Sequence, residues 1–282
     1  MKKNKILIFL SFLLIASVVL TACESAATEE VVMETEVEET EAAVEETEAA
    51  AEETTEPISS KELDVYRIAI LADITSSNVW NLFGPGASAY NYVVQSAYWP
   101  TLYGLSDERY DLIPFLAAGF ASTIEEEGEF YISTITLKEN FLWSDGTQVT
   151  AEDIAFTAQV VNDFELGGNW TYFVNNVDRI EVIDELTAKI YYSSKPGLAN
   201  HEYGVLQDVI VQKAYWEPKL TDAYAALEAL DGLEVDSDEY IAGFADAQTI
   251  IYSIESEGEP IAGPFIFDQW EVGAFAENEE NE

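Results

Sequence analysis

The chain has 282 residues, 48% hydrophobic and 12% aromatic, enough for about two domains with a real core. Its 12 Lys and Arg against 54 Asp and Glu give a net charge of −42, which excludes a nucleic-acid binder and disfavours adsorption to anionic headgroups. One His and one Cys exclude an imidazole or thiolate metal cage and a disulfide framework.

The first element reads as an export signal. Lys2, Lys3 and Lys5 precede an apolar run from Ile6 to Leu20, broken only by Ser11 and Ser17. That run is shorter than the roughly 20 residues a membrane span needs, and its basic flank fits a secretory signal over residues 1–22. It ends in Leu20-Thr21-Ala22-Cys23, which resembles the bacterial lipobox. The resemblance implies cleavage before Cys23 and lipidation of its thiol. Two or more acyl chains would hold the mature protein stably on a membrane, each buried methylene contributing about 0.8 kcal/mol.

Residues 23–60 are expected to form a disordered acidic tether. From Glu24 to Ser60 there are 14 Glu and no Lys or Arg. Ala and Glu favour helix, but there is no apolar stripe to dock and neighbouring Glu residues repel. A neutral flexible chain of that length spans roughly 35 Å, and self-repulsion extends it. The three Lys of the leader and the 14 Glu of the tether leave 9 basic and 40 acidic residues from Lys61 onward, a net −31. Such a body attracts a cationic ligand more readily than an anionic one.

The folded body is placed at residues 61–276, with an acidic tail at 277–282. Val65 to Leu71 reads as a buried strand, Asp73 to Ser77 as a turn, and Asn81 to Gly86 as a loop. Ser88 to Tyr98 reads as a helix ending before Pro100. Glu125-Glu126-Glu127-Gly128 is a turn between two strands, the second running from Phe130 to Leu137. Ser144 to Thr147 is a tight turn. Thr150-Ala151-Glu152-Asp153 starts a helix, with Thr150 as cap and Asp153 reaching back to it. Ile154, Ala158 and Val161 form its buried stripe, and Gly167-Gly168 ends the run. Arg179–Ile183 and Thr187–Tyr192 form a hairpin around Asp184-Glu185. Asp222 to Leu230 is helical, Asp231 to Glu239 is a solvated acidic loop without EF-hand spacing, and Phe265-Ile266-Phe267 is a last strand. Strands and helices without regular alternation give an α+β (mixed α/β) body rather than a doubly wound sheet.

Three segments, in order, resemble the extracellular solute-binding proteins of the peptide/nickel ABC-transporter type, family 5. The first runs from Leu137 to Phe156 and contains Phe141-Leu142-Trp143-Ser144-Asp145-Gly146-Thr147 and Thr150-Ala151-Glu152-Asp153-Ile154. It is similar to the family hallmark of an aromatic, Ser/His-Asp-Gly, then Thr-Ala-Glu-Asp-Val. The second, Val177 to Ile190, is similar to the hairpin that follows. The third, Pro260 to Trp270, resembles the Gly-Thr-Gly-Pro-Tyr segment, but lacks its Thr and has Phe265 for the Tyr.

The resemblance implies the N-terminal lobe of a two-lobed, type II-like periplasmic-binding-protein fold whose second lobe is missing from this chain. It implies a lipid-anchored substrate-binding component of an ABC importer, extracytoplasmic and not an enzyme. Such a protein captures a peptide or other small solute between lobes and delivers it to a membrane permease. A one-sided cleft is expected to bind poorly, so nanomolar peptide binding by residues 61–282 alone would contradict this expectation. The alternative is a truncated, surface-displayed interaction module without a transport role. A third option, an extracytoplasmic hydrolase with paired carboxylates, finds no pair that stands out.

Two segments are implied as solute-facing. One is Asp73, Ile74, Thr75 and Ser76, whose extended backbone would pair with a peptide main chain as an added strand does. The other is Trp170 and Tyr172, with Phe173 beside them as cleft lining or core. Asp145, Glu152 and Asp153 are explained by turn and cap roles rather than catalysis, and His201 by a surface or satisfied role. No metal and no cofactor is expected.

Overall fold

The computed structural model describes residues 66–168, 170 and 176–281. The signal, Cys23 and the tether therefore lie outside the described residues, as do Tyr172 and Phe173. The described part falls within one compact unit, Tyr66–Glu282. It mixes helices with three antiparallel sheets.

The central sheet has four strands in the order β3-β4-β6-β5. These are β3 (Glu125–Glu127), β4 (Phe130–Thr136), β5 (Val177–Asp184) and β6 (Thr187–Tyr192). β5 and β6 form the expected hairpin, with the reversal one residue further on, at Glu185-Leu186. Ala188, Ile190 and Tyr192 of β6 are fully buried. The expected turn at Glu125–Gly128 is corrected: Glu125–Glu127 is itself a strand paired with Phe130–Ile132, and the reversal falls at Gly128-Glu129. Gly128 adopts φ +66°, a left-handed turn conformation that costs glycine little.

Helix α2 (Ala151–Asp163) packs on β5 and β6 and starts where the sequence places it. Asp153 Oδ2 accepts from the Thr150 backbone N at 2.9 Å. Ile154, Ala158 and Val161 are buried. Among the described residues the other helices with full bounds are α1 (Ala89–Gln95), α3 (Leu198–Glu202), α4 (Lys213–Lys219), α5 (Thr221–Glu228) and α6 (Asp238–Tyr252). Helix α6 takes the end of the expected acidic loop. Ser237 caps it by accepting from Tyr240 N, and Asp238 and Glu239 occupy its first turn, where the helix dipole favours anions.

Two small sheets flank this body: β1 (Tyr103–Leu105) with β2 (Leu112–Pro114), and β7 (Phe265–Glu271) with β8 (Phe275–Glu280). The acidic tail expected at 277–282 is thus corrected through Glu280: Glu277, Glu279 and Glu280 lie on a strand because β7 supplies the hydrogen-bonding partner. The strand expected from Val65 to Leu71 is also corrected. From Tyr66 to Leu71 no strand forms among the described residues, and Tyr66 (87% exposed), Ile68 (62%) and Leu71 (95%) face solvent.

The core is aromatic. Trp80, Trp143, Trp170 and Trp216 are fully buried. The Trp80 ring meets Trp170 at 5.8 Å and Trp216 edge-on at 5.5 Å. Such tilted and edge-to-face pairs contribute about 0.5–1.5 kcal/mol each beyond the area they bury.

Candidate functional site

The segment resembling the family hallmark is held by hydrogen bonds to two of its acids, Asp145 and Asp153. Asp145 closes the turn by accepting from Thr147 N (2.9 Å) and Thr147 Oγ1 (2.7 Å), and its other oxygen accepts from Gln212 Nε2 at 2.8 Å. Asp153 accepts from Thr150, from Trp143 Nε1 at 3.3 Å and from the Lys213 backbone N at 2.8 Å. Burial pushes its carboxyl above the ordinary range, against the pull of those donors. It therefore joins the turn, α2 and α4 as a structural hub.

The third family-like segment packs against the first. Ser144 N donates to Ile261 O at 2.8 Å, and Ile261 N returns a bond to Ser144 Oγ at 3.1 Å. Two residues on, a Cβ at Gly263 would lie 2.0 Å from Ala97 O, so only glycine allows this approach of two backbones.

The loop 73–77 is gripped from two sides. Helix α1 holds it with two buried amides. Asn91 Oδ1 accepts from Thr75 N at 2.9 Å, and Gln95 Nε2 donates to Ser76 O at 2.6 Å. Asn91 is fully buried and Gln95 nearly so. On the other side stands the β7–β8 hairpin. Asp73 accepts from Trp270 Nε1 at 3.0 Å and from Gly273 N at 2.6 Å, besides its neighbour Ile74 N at 2.9 Å. The Gly273 amide is the largest influence on the Asp73 carboxyl; desolvation comes next and opposes it, and the Trp270 and Ile74 donors add to Gly273, so the carboxyl sits below its ordinary range.

Asn278 of β8 completes the circuit. Its Nδ2 donates to Val94 O at 3.1 Å, and its Oδ1 accepts from Tyr98 Oη. Loop, helix α1 and hairpin are thereby linked in a ring of side-chain hydrogen bonds. Asn91 and Gln95, four residues apart on one helix face, carried a readable signal: a polar pair repeating at helical spacing. Trp270 and Asn278 carried none, being 197 and 180 residues from their partners Asp73 and Tyr98.

Of the four expected loop residues, Thr75 is exposed and Asp73 and Ser76 are half-buried. Ile74 is corrected to a core residue at 2% exposure. The Thr75 N–H and Ser76 carbonyl already serve α1, so fewer main-chain groups are free to meet a peptide than an open strand would offer. Trp170 is corrected as well. It is fully buried, donates to Trp80 O at 3.3 Å and packs edge-on to Phe83, so it supports the 3₁₀ turn Val79–Leu82 from beneath.

His201 is buried and satisfied, its Nδ1 2.7 Å from Tyr192 Oη. Among the described residues, no group of three or more His, Cys, Asp or Glu is arranged to hold a metal ion. No helix among them is long and apolar enough to cross a membrane.

The family model for bacterial extracellular solute-binding proteins, family 5 (middle region), matches residues 111–282. The chain belongs to that family. Its fold is similar to that of the oligopeptide-binding protein of Thermus thermophilus, solved with a pentapeptide, at a TM-score of 0.54 and 18% identity over 74% of this chain and 35% of that one. It is also similar to the periplasmic oligopeptide-binding protein of an ABC transporter from Thermotoga maritima, solved with mannohexaose, at a TM-score of 0.50 and 20% identity over 74% and 32%. The chain thus spans about a third of the length of these solved relatives. No curated protein matches the sequence. The family 5 assignment accounts for the Ser144–Gly146 turn, the α2 cap and the β5–β6 hairpin together, because all three lie inside the matched range.

Proposed function

We propose that this chain is the substrate-recognition part of a lipid-anchored ABC-importer binding protein that captures peptides or related small solutes and passes them to a membrane permease. The match of residues 111–282 to the family 5 model carries this reading. Its chemistry is recognition without bond making, with Thr75 and Ser76 on one wall of the solute cleft and Asp73 at the base of their loop. The acidic body, net −31 from Lys61 onward, favours solutes with an amino group over anionic ones. The exposed, apolar Tyr66–Leu71 run fits a surface that another part of such a fold covers. Cys23 carries the acyl chains, residues 24–60 act as the spacer, and the folded body starts near Lys61.

The test is amide-resolved hydrogen exchange and NMR of the chain with a pool of tri- to pentapeptides. A one-walled site predicts binding on the order of 1 mM, with shifts confined to Thr75–Ser77 and their neighbours on α1. Peptide shifts elsewhere, or none at saturating peptide, would overturn the placement of the site. For the anchor, Cys23→Ser should move the full chain from the membrane fraction to the soluble one and lower its intact mass by the acyl chains. Unchanged fractionation and mass would overturn the lipidation.

A further inference from the structure

The carboxylate at the end of the Tyr66–Asp73 segment is expected from sequence to face solute. In the structure its acceptor positions are directed at protein donors: the indole of Trp270, the amide of Gly273 and the amide of Ile74. The two distant donors both come from the β7–β8 hairpin, one on β7 and one in its turn. Gly273 sits there at φ +77°, which orients its N–H toward Asp73 and which a side chain would disfavour. The same hairpin reaches α1 through Asn278, and α1 reaches the loop through Asn91 and Gln95. Cutting the ring at Asp73 removes the direct hydrogen bonds from loop to hairpin while leaving α1 in place.

We propose that Asp73 is a positioning residue rather than a solute contact: it ties the 73–77 loop to the β7–β8 hairpin, so that the two move as one body. The proposal rests on the reading that this loop faces solute, but its test uses no solute, so the two fail independently. The anionic form is the one that serves, because all three partners are donors and a protonated carboxyl gives up part of its acceptor capacity. The groups that face this contact are uncharged: the hairpin presents an indole and an amide, and α1 presents Asn91 and Gln95 to the loop.

The sequence supplies a reporter. Of the six tryptophans, Trp80, Trp99, Trp143, Trp170 and Trp216 are buried at 2% exposure or less, and Trp270 alone is half-buried. Acrylamide quenching of the native full chain therefore reads Trp270 above all. In Asp73→Ala, the quenching constant of the accessible tryptophan should rise about twofold, and the amides of Gly273 and of Ile74–Ser76 should exchange about tenfold faster. Amides of α2 and of β4–β6 should keep their rates. Asp268→Ala, an exposed acid on the same hairpin, should change nothing and serves as the control for charge.

In the wild type, quenching should also rise as pH falls through a midpoint below the ordinary aspartate value. That step should vanish in Asp73→Asn, which keeps one acceptor oxygen and is expected to hold the hairpin in part at every pH. Faster exchange at Gly273 alone, with loop amides unchanged, would make Asp73 a mere hairpin anchor and overturn the proposal. So would a pH step that survives in Asp73→Asn.

Discussion

Two apolar runs of nearly the same character end in opposite places. Thr187–Tyr192 (Thr-Ala-Lys-Ile-Tyr-Tyr) is strand β6, lying between β4 and β5, with Ile190 fully buried. Tyr66–Leu71 (Tyr-Arg-Ile-Ala-Ile-Leu) also has two β-branched residues and an aromatic, yet it has no strand partner among the described residues and leaves Leu71 95% exposed. The difference is in the neighbours. β6 follows β5 by a two-residue turn and finds its partner locally, whereas Tyr66–Leu71 has none within its own segment. Strand propensity measures fitness for a half-buried pleated surface, and without a partner it produces neither burial nor a ladder.

The sharpest way to break this comparison is a matched truncation. Ile190→Ala should destabilise the chain by about 2–5 kcal/mol, through lost transfer energy and the cavity left between β4, β5 and α2. Ile68→Ala should stay within about 0.5 kcal/mol, because an exposed side chain has little to lose. Urea unfolding of the two variants decides it. A large loss at Ile68 would mean that the 66–71 run is covered in solution.

Next in size is the hub at Asp153. Asp153→Ala removes the back-bond to Thr150 and strands the Trp143 indole and the Lys213 amide, so it should cost about 2–3 kcal/mol. Asp145→Ala loses bonds at an exposed turn and should cost less than half of that. Thermal melts compare the pair directly, and equal losses would contradict the assignment of Asp153 as the hub.

What was legible follows the same rule of locality. The α2 cap was readable because Thr150 and Asp153 sit three residues apart, and the β5–β6 hairpin because Asp184-Glu185 separates two short strand patterns. Helix α6 was hidden because its N-terminal Asp238 and Glu239 read as part of an acidic loop, although Ser237 ahead of them is a cap signal. Strand β8 was hidden because Glu277–Glu280 carries charge where strands usually carry β-branched residues, and only pairing with β7 makes it extended. In the 73–76 segment the irregular backbone was readable, whereas the burial of Ile74 and of Trp170 was not. Nothing local distinguishes a core indole from one lining a cleft. The partners that fix the loop lie 16 to 200 residues away.

The buried acids give a smaller effect with a definite sign. Asp208 is buried among Leu102, Ile154 and Val209, its Oδ1 has no partner among the described residues, and burial raises its carboxyl well above the usual range. Burial likewise pushes Glu259 up to about 8, against the Trp216 and Trp99 indoles at 2.6 and 2.9 Å. Both groups hold a proton in the folded chain where the unfolded chain has released it. Their stabilising contribution is complete below the unfolded carboxylate range. It is lost as pH rises, for Glu259 until about 8. His201 acts the other way: burial lowers its pKa, so its contribution is present above its ordinary value and is lost as pH falls. Asp208→Asn should therefore raise stability more at pH 8 than at pH 5, by about 1.4 kcal/mol for each pH unit of that interval over which the folded carboxyl keeps its proton. An equal effect at both pH values would show that Asp208 is not the titrating group.

The smallest expected effect separates two bonds made by one residue. Lys213 donates its backbone N to buried Asp153 at 2.8 Å and its exposed Nζ to Glu152 at 3.0 Å. The surface ion pair is screened by water and salt and opposed by side-chain entropy, so Lys213→Ala should change stability by less than about 0.5 kcal/mol and lose any effect in about 1 M salt. Lys213→Pro keeps a residue suited to the first turn of α4 but deletes the donor to Asp153. It should reproduce a good part of the Asp153→Ala loss, and high salt should not rescue it. If the alanine variant loses as much as the proline one, the charge at the surface of α2 matters more than the hub beneath it. The ranking of buried over exposed contacts would then fail at the place where both are made by the same residue.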